Sequence, residues 1–303
     1  MKLLRRTYLA TAAIGSMALF ASAALASPAV DSVNNAMLDT IRASAATTPP
    51  PRAARAISMV GIAMFDAVNA SSGLAYQPYS YTGPAVSGLS QDAVALASGY
   101  TMMANLFPTL AADLTTQMQA KLATLSLSDT QRAASVAFGQ SIANNLFAAR
   151  ASDGSATAQV PYVAGSSLGS FQPTQPTNPT LPNWGKVTPF GVASSSQFDV
   201  GPPPAIGSAE WLASYNQVKT LGCSTCGTVD QKTIATFWAD GGGTFTPPGH
   251  WLSITTGLTK DLTTLEAARA TAIVGAAVAD AGITAWQTKY TYNAWRPITA
   301  IRA

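Results

Sequence analysis

Histidine is nearly missing from this sequence: His250 stands alone among 303 residues. A metal centre or an acid–base pair built from two histidines is therefore excluded within these residues. Cysteine is almost as scarce, with only Cys223 and Cys226. One C-x-x-C pair is at most half of a four-cysteine zinc site. A thioredoxin-like redox motif wants a strand before it, whereas Leu221 and Gly222 precede this one. In an oxidising compartment the pair reads as a local, loop-closing disulfide.

Charge is also sparse. Charged residues make up 10% of the chain, against about 25% in an ordinary globular protein. The formal net charge of +3 comes from the N-terminus, where residues 1–26 hold Lys2, Arg5 and Arg6 and no acid. Beyond residue 26, basic and acidic residues balance at 14 each. Nucleic-acid binding needs a sustained basic patch, and none is present. Strand-like alternation and internal repeats are likewise missing.

What is present begins with an export signal. Lys2, Arg5 and Arg6 form a basic leader, Thr7 to Ala23 is uncharged and mostly apolar, and Ala24-Leu25-Ala26 fits a small-x-small cleavage site. The stretch is long enough to span a membrane, but its weak hydrophobicity and the cleavage site favour removal. This reading leaves no stable membrane anchor. Arg5-Arg6 also resembles the start of a twin-arginine signal. Periplasmic or secreted localisation follows.

The remainder reads as all-α. Residues 27–153 form a helical region, with one helix at about 30–45. In the next, Ile57, Val60, Gly61, Met64, Phe65 and Val68 keep the i, i+3, i+4, i+7 spacing. Ser90 and Ser128 mark later helix starts, and Pro108 opens another at its first turn. Residues 154–206 are rich in Ser, Pro, Gln, Thr and Gly and show no period, which predicts one long irregular loop. Its aromatics Tyr162, Phe171, Trp184 and Phe190 predict that it packs on the protein. Residues 207–303 return to helix, with starts at Ser208 and near Asp230. A last long helix is expected from near Lys260 to about Trp295, buried through Val274, Ala277, Val278 and Ala281.

Near the end of that helix Lys289 and Arg296 lie seven residues apart, almost two turns, with no acid between them. On an ideal helix Trp286, Lys289, Asn293 and Arg296 share one stripe. Pro297 disfavours helical geometry at Arg296, so that residue falls at the helix end. A point charge beside a planar guanidinium fork suits a tetrahedral oxyanion. The other reading is a solvated helix end with cations favoured by the dipole. The flanking Tyr290, Tyr292 and Trp295 argue against a wet face. On an ideal helix Asp280 falls about half a turn away from the face of Lys289, which points to a buried hydrogen bond elsewhere in the bundle.

The Lys-x6-Arg-Pro spacing is similar to the first of three motifs shared by vanadium-dependent haloperoxidases and type 2 phosphatidic-acid phosphatases. The strings ADAGITAWQTK (279–289) and FWADGGGTFTPPGHW (237–251) resemble the haloperoxidase side, and YNQVK (215–219) resembles exported bacterial members. The resemblance implies a helical bundle and vanadate as cofactor. It implies hydrogen peroxide and halide as reaction partners, or a phosphoester if the chain is instead an acid phosphatase. Lys289 and Arg296 then hold vanadate or phosphate, and Asp240 orients anion-binding arginines or is a plain turn aspartate. Trp286 walls the pocket or is a core tryptophan. His250 has no partner acid evident in the sequence and reads as a structural or pocket-rim residue. Gly241-Gly242-Gly243 lacks the Lys-Ser/Thr of a phosphate loop and reads as a turn.

The family's second motif, Pro-Ser-Gly-His, and its third, with an Arg and a His, are absent from the 303 residues. No residue is therefore assigned as catalytic, and no side chain as a direct metal ligand. The expectation is a C-terminally incomplete haloperoxidase, inactive alone. A natural short form, such as a non-enzymatic helical periplasmic module, is the other reading.

Overall fold

The computed structural model describes residues 28–174 and 179–303, so the stretch read as an export signal lies outside the described residues. Ten α-helices are described: α1 (Pro28–Ala43), α2 (Pro50–Ser71), α3 (Gln91–Leu106), α4 (Ala111–Ala123), α5 (Asp129–Ala149), α6 (Ala209–Leu221), α7 (Val229–Ala239), α8 (Thr246–Thr259), α9 (Thr264–Tyr292) and α10 (Pro297–Arg302). The fold is all-α. Among the described residues the nearest approach to sheet is a single antiparallel bridge between Ser170 and Ala294.

Local chemistry sets the helix starts. Ser90, Ser128 and Ser208 each accept a backbone N–H as N-caps, and Thr228 and Thr263 form full capping boxes with Gln231 and Glu266. Pro108 opens a short 3-10 turn leading into α4. No helix is expected from the pattern at residues 246–259, yet α8 forms there with prolines in its first turn. Pro247 and Pro248 break helices internally but are tolerated at their start.

The core is built on α2, which is buried along nearly its whole length and packs on α3, α5, α8 and α9. Both α2 and α9 are long and apolar enough to cross a membrane by length and composition, but α2's apolar window is 94% buried inside the protein. Helices α2 and α9 meet through glycines. A Cβ on Gly61 would lie 3.1 Å from the Ala272 Cα, and one on Gly275 would lie 3.0 Å from the Ser58 Cα. This close approach decides which face of α9 is inside. Ala268, Thr271, Ala272, Gly275, Ala279 and Ile283 are buried. Val274 and Val278 are half-buried, while Ala277 and Ala281 face out. The expected apolar face is therefore rotated: small residues that admit a neighbouring backbone outrank larger apolar ones. Helices α6 and α7 bury no residue and lie at the periphery.

The long loop is fastened down, as its aromatics suggested. Asp280 of α9 accepts three loop amides, from Phe190 and Gly191 at 2.6 Å and Val192 at 2.9 Å. Trp184, Leu181, Val187 and Ala158 form a second small core against Ile283, with Trp286 at its edge. At the other end Asp153 joins the loop to the bundle. It takes Arg55 at 2.8 Å and Arg150 at 3.0 Å, and Arg150 in turn donates to the carbonyls of Thr188 and Pro189.

Candidate oxyanion site

Helix α9 stops at Tyr292 because Asn293 turns into the left-handed region at φ 48°. Asparagine tolerates that conformation better than most residues. Ala294 then pairs with Ser170, and Arg296 is extended, standing just before Pro297 of α10. The single helical stripe expected from spacing is thus broken. Lys289 sits on the last turn of α9, while Arg296 approaches from a separate segment.

The two cations nevertheless converge, and the residue they share comes from the long loop. Lys289 Nζ lies 5.7 Å and Arg296 Cζ 5.6 Å from the centroid of the Phe171 ring, within cation–π range. Lys289 also sits 4.9 Å above Trp286 and 5.5 Å from the ring of its neighbour Tyr290. Phe171, Tyr162 and Tyr290 form an edge-to-face triangle with centroids 5.4 to 6.5 Å apart. The loop is held in place by Phe171 N–H donating to Asn293 O and Trp295 N–H donating to Gly169 O, both at 2.8 Å. Tyr162 donates to Asn293 Oδ1 at 2.5 Å.

Among the described residues no carboxylate forms an ion pair with Lys289 or Arg296. Burial, and then the charge of Arg296, push the Lys289 pKa below its ordinary value. Lys289 is half-buried among three aromatic rings, Arg296 is exposed beside one of them, and neither has a carboxylate partner. That fits an oxyanion. The Trp286 ring lies 4.9 Å from the Lys289 ammonium, and its indole N–H donates to Thr180 O at 3.0 Å at the edge of the loop core.

Asp240 and His250 form a separate cluster. Asp240 caps α7 at φ 38°, and its carboxylate meets His250 Nδ1 at 2.8 Å. His250 therefore does have a partner acid, and Asp240 is engaged by a histidine rather than an arginine. The imidazole stacks on Trp238 at 5.0 Å and meets Phe237 edge-on at 4.7 Å. The Asp–His pairing comes from the turn between α7 and α8, so ten residues of separation gave no helical register to reveal it. Helices α8 and α9 are joined by residues 260–263 and pack on each other. The charged neighbour acting on Lys289 is Arg296. Cys223 and Cys226 are joined as a disulfide, their Cα atoms 5.0 Å apart. Among the described residues no group of three or more His, Cys, Asp or Glu is placed to hold a metal ion directly.

The family model of the VCPO second helical-bundle domain matches residues 269–303, the stretch that carries both cations. A solved structure described as the first bacterial vanadium-dependent iodoperoxidase is similar in fold, with a TM-score of 0.79 and 20% identity. That similarity covers 92% of this chain and 72% of the iodoperoxidase chain. No curated protein sequence matches.

Proposed function

For a chain whose C-terminal family match and fold support its place in the vanadium haloperoxidase superfamily, we propose an oxyanion-binding role in peroxide-dependent halide oxidation. Lys289 and Arg296 hold vanadate. The observation that carries this reading is the convergence of these two cations on Phe171 with no carboxylate partner. Lys289 supplies a compact charge and Arg296 a planar fork, and neither is neutralised by the protein. Burial among aromatic rings limits water at Lys289 and strengthens its hold on a bound anion, while Arg296 meets the anion from the exposed side. The chemistry a bound vanadate contributes is Lewis-acid activation of hydrogen peroxide toward halide. The family's histidines are not among these 303 residues, and the role proposed for the residues present is to bind the oxyanion. Its site of action is outside the cytoplasm, on the reading of residues 1–26 as an export signal together with the Cys223–Cys226 disulfide.

The test is orthovanadate binding followed by vanadium NMR and calorimetry. Saturable binding displaced by phosphate is expected, with affinity lowered about tenfold or more in Lys289→Met and in Arg296→Met. Binding that is absent, or indifferent to both substitutions, sinks the reading. Vanadate-inhibited phosphoester hydrolysis with no bromination of a dye, in a form carrying the missing motifs, would move it to a phosphatase.

A further inference from the structure

Tyr290 follows Lys289 on the last turn of α9, and its hydroxyl is shut off from solvent with no hydrogen-bond partner among the described residues. A buried donor without an acceptor is costly. The neighbouring phenol does not relieve it, since the Tyr162 hydroxyl is turned toward Asn293 Oδ1 and Phe171 O. The other buried side-chain atoms lacking a partner belong to Asp31, Ser32, Asn34, Ser58 and Thr246, on α1, α2 and the first turn of α8. Tyr290 alone among them adjoins the two unpaired cations. Burial, then the neighbouring Tyr162, raise its pKa, while Arg296 lowers it. The phenol is therefore a neutral donor within electrostatic reach of Arg296.

We propose that the Tyr290 hydroxyl is a third holder of the oxyanion, donating a hydrogen bond to the vanadate or phosphate that Lys289 and Arg296 hold. This rests on the oxyanion reading of that pair. The unprotonated oxygens of such an anion accept, and Lys289, Arg296 and the Tyr290 O–H can each donate, so one ligand can engage all three. The rings packed against Tyr290, those of Tyr162 and Phe171, come from the long loop rather than from a helix. Tyr290→Phe removes the hydroxyl and keeps the ring.

Calorimetry with orthovanadate and with inorganic phosphate, alongside anion-free thermal melts, decides it. Tyr290→Phe is expected to bind both anions about tenfold more weakly, a loss of about 1.4 kcal/mol, with an anion-free melting temperature unchanged or raised. A tyrosine ultraviolet difference spectrum on anion binding is expected in the wild type and lost in the variant. Unchanged affinity in Tyr290→Phe overturns the proposal. A lowered anion-free melting temperature also overturns it, because the hydroxyl then has an internal partner. If the wild type binds neither anion and Lys289→Met behaves identically, the oxyanion reading itself fails and the proposal falls with it.

Discussion

Asp240 and His250, ten residues apart, are joined by a 2.8 Å bond through His250 Nδ1. The neutral imidazole must therefore carry its proton on Nδ1 and leave the Nε2 lone pair free, because an ionised carboxylate can only accept. With one histidine in the chain, nitrogen-15 NMR reports this tautomer without assignment ambiguity. The Nδ1–H pattern is expected in the wild type, shifting toward Nε2–H in Asp240→Ala. An Nε2–H imidazole in the wild type would show that the pair does not form.

Lys289 makes anion binding depend on pH. Its folded-state pKa is depressed by burial and by Arg296, relative to about 10.4 in an unfolded chain. Between those two values the unfolded chain binds the proton that the folded chain has released, so stability rises with pH there. A bound anion favours the charged lysine and reverses that bias. Sulfate, which does not titrate in this range, is expected to bind with proton uptake. Its affinity should fall by up to ~10-fold per pH unit above the folded pKa. Lys289→Met should remove both dependences. Calorimetry in buffers of different ionisation enthalpy measures the uptake, and a flat profile in the wild type contradicts the argument.

Asp153 predicts an acid limit to stability. Burial pushes its carboxyl up, but hydrogen bonds from Arg55 and Ser155 and the charge of Arg55 outweigh this and hold the pKa below its ordinary value. A depressed carboxylate stabilises the fold above its unfolded pKa, and that contribution is lost as pH falls through the folded one. Wild-type stability should therefore fall below about pH 3.9 in part through this group. Asp153→Ala leaves Arg55 and Arg150 buried without their anion, at a cost of about 3–5 kcal/mol at neutral pH. Denaturant titration at pH 7 and pH 3 should show that penalty shrinking in acid.

The helices were legible because their signals are local. Ser90, Ser128 and Ser208 cap where the sequence places them, and no alternation suggested a sheet. The Lys289–Arg296 spacing marked the candidate site for the same reason. Phe171, however, reaches that site from a loop without period, held by backbone bonds to Asn293 and Trp295 that no side-chain pattern encodes. Its aromaticity in a polar stretch was the available signal. The buried face of α9 was misjudged because hydrophobic size was weighed above closeness of approach. Gly275 carries no side chain, yet it lies against Ser58 and Ile57 of α2, while Val274 is only half-buried.

That closeness yields a sharp test at Gly275. Alanine in a helix interior is ordinarily favoured over glycine by about 1 kcal/mol. Here the added methyl would meet Ser58 Cα at 3.0 Å and the Ile57 carbonyl oxygen at 3.2 Å, both backbone atoms that cannot rotate away. Overpacking of this kind costs about 1–3 kcal/mol. Gly275→Ala is therefore expected to be destabilising despite the propensity gain, and Gly275→Val more so. Gly282, seven residues along the same helix, has nothing within 4 Å of its Cβ position. Gly282→Ala should therefore stabilise by the propensity term. Thermal or urea melts of the two alanine variants should move in opposite directions. If Gly275→Ala gains stability as Gly282→Ala does, the helices are not held at glycine distance and the α2–α9 packing is wrong.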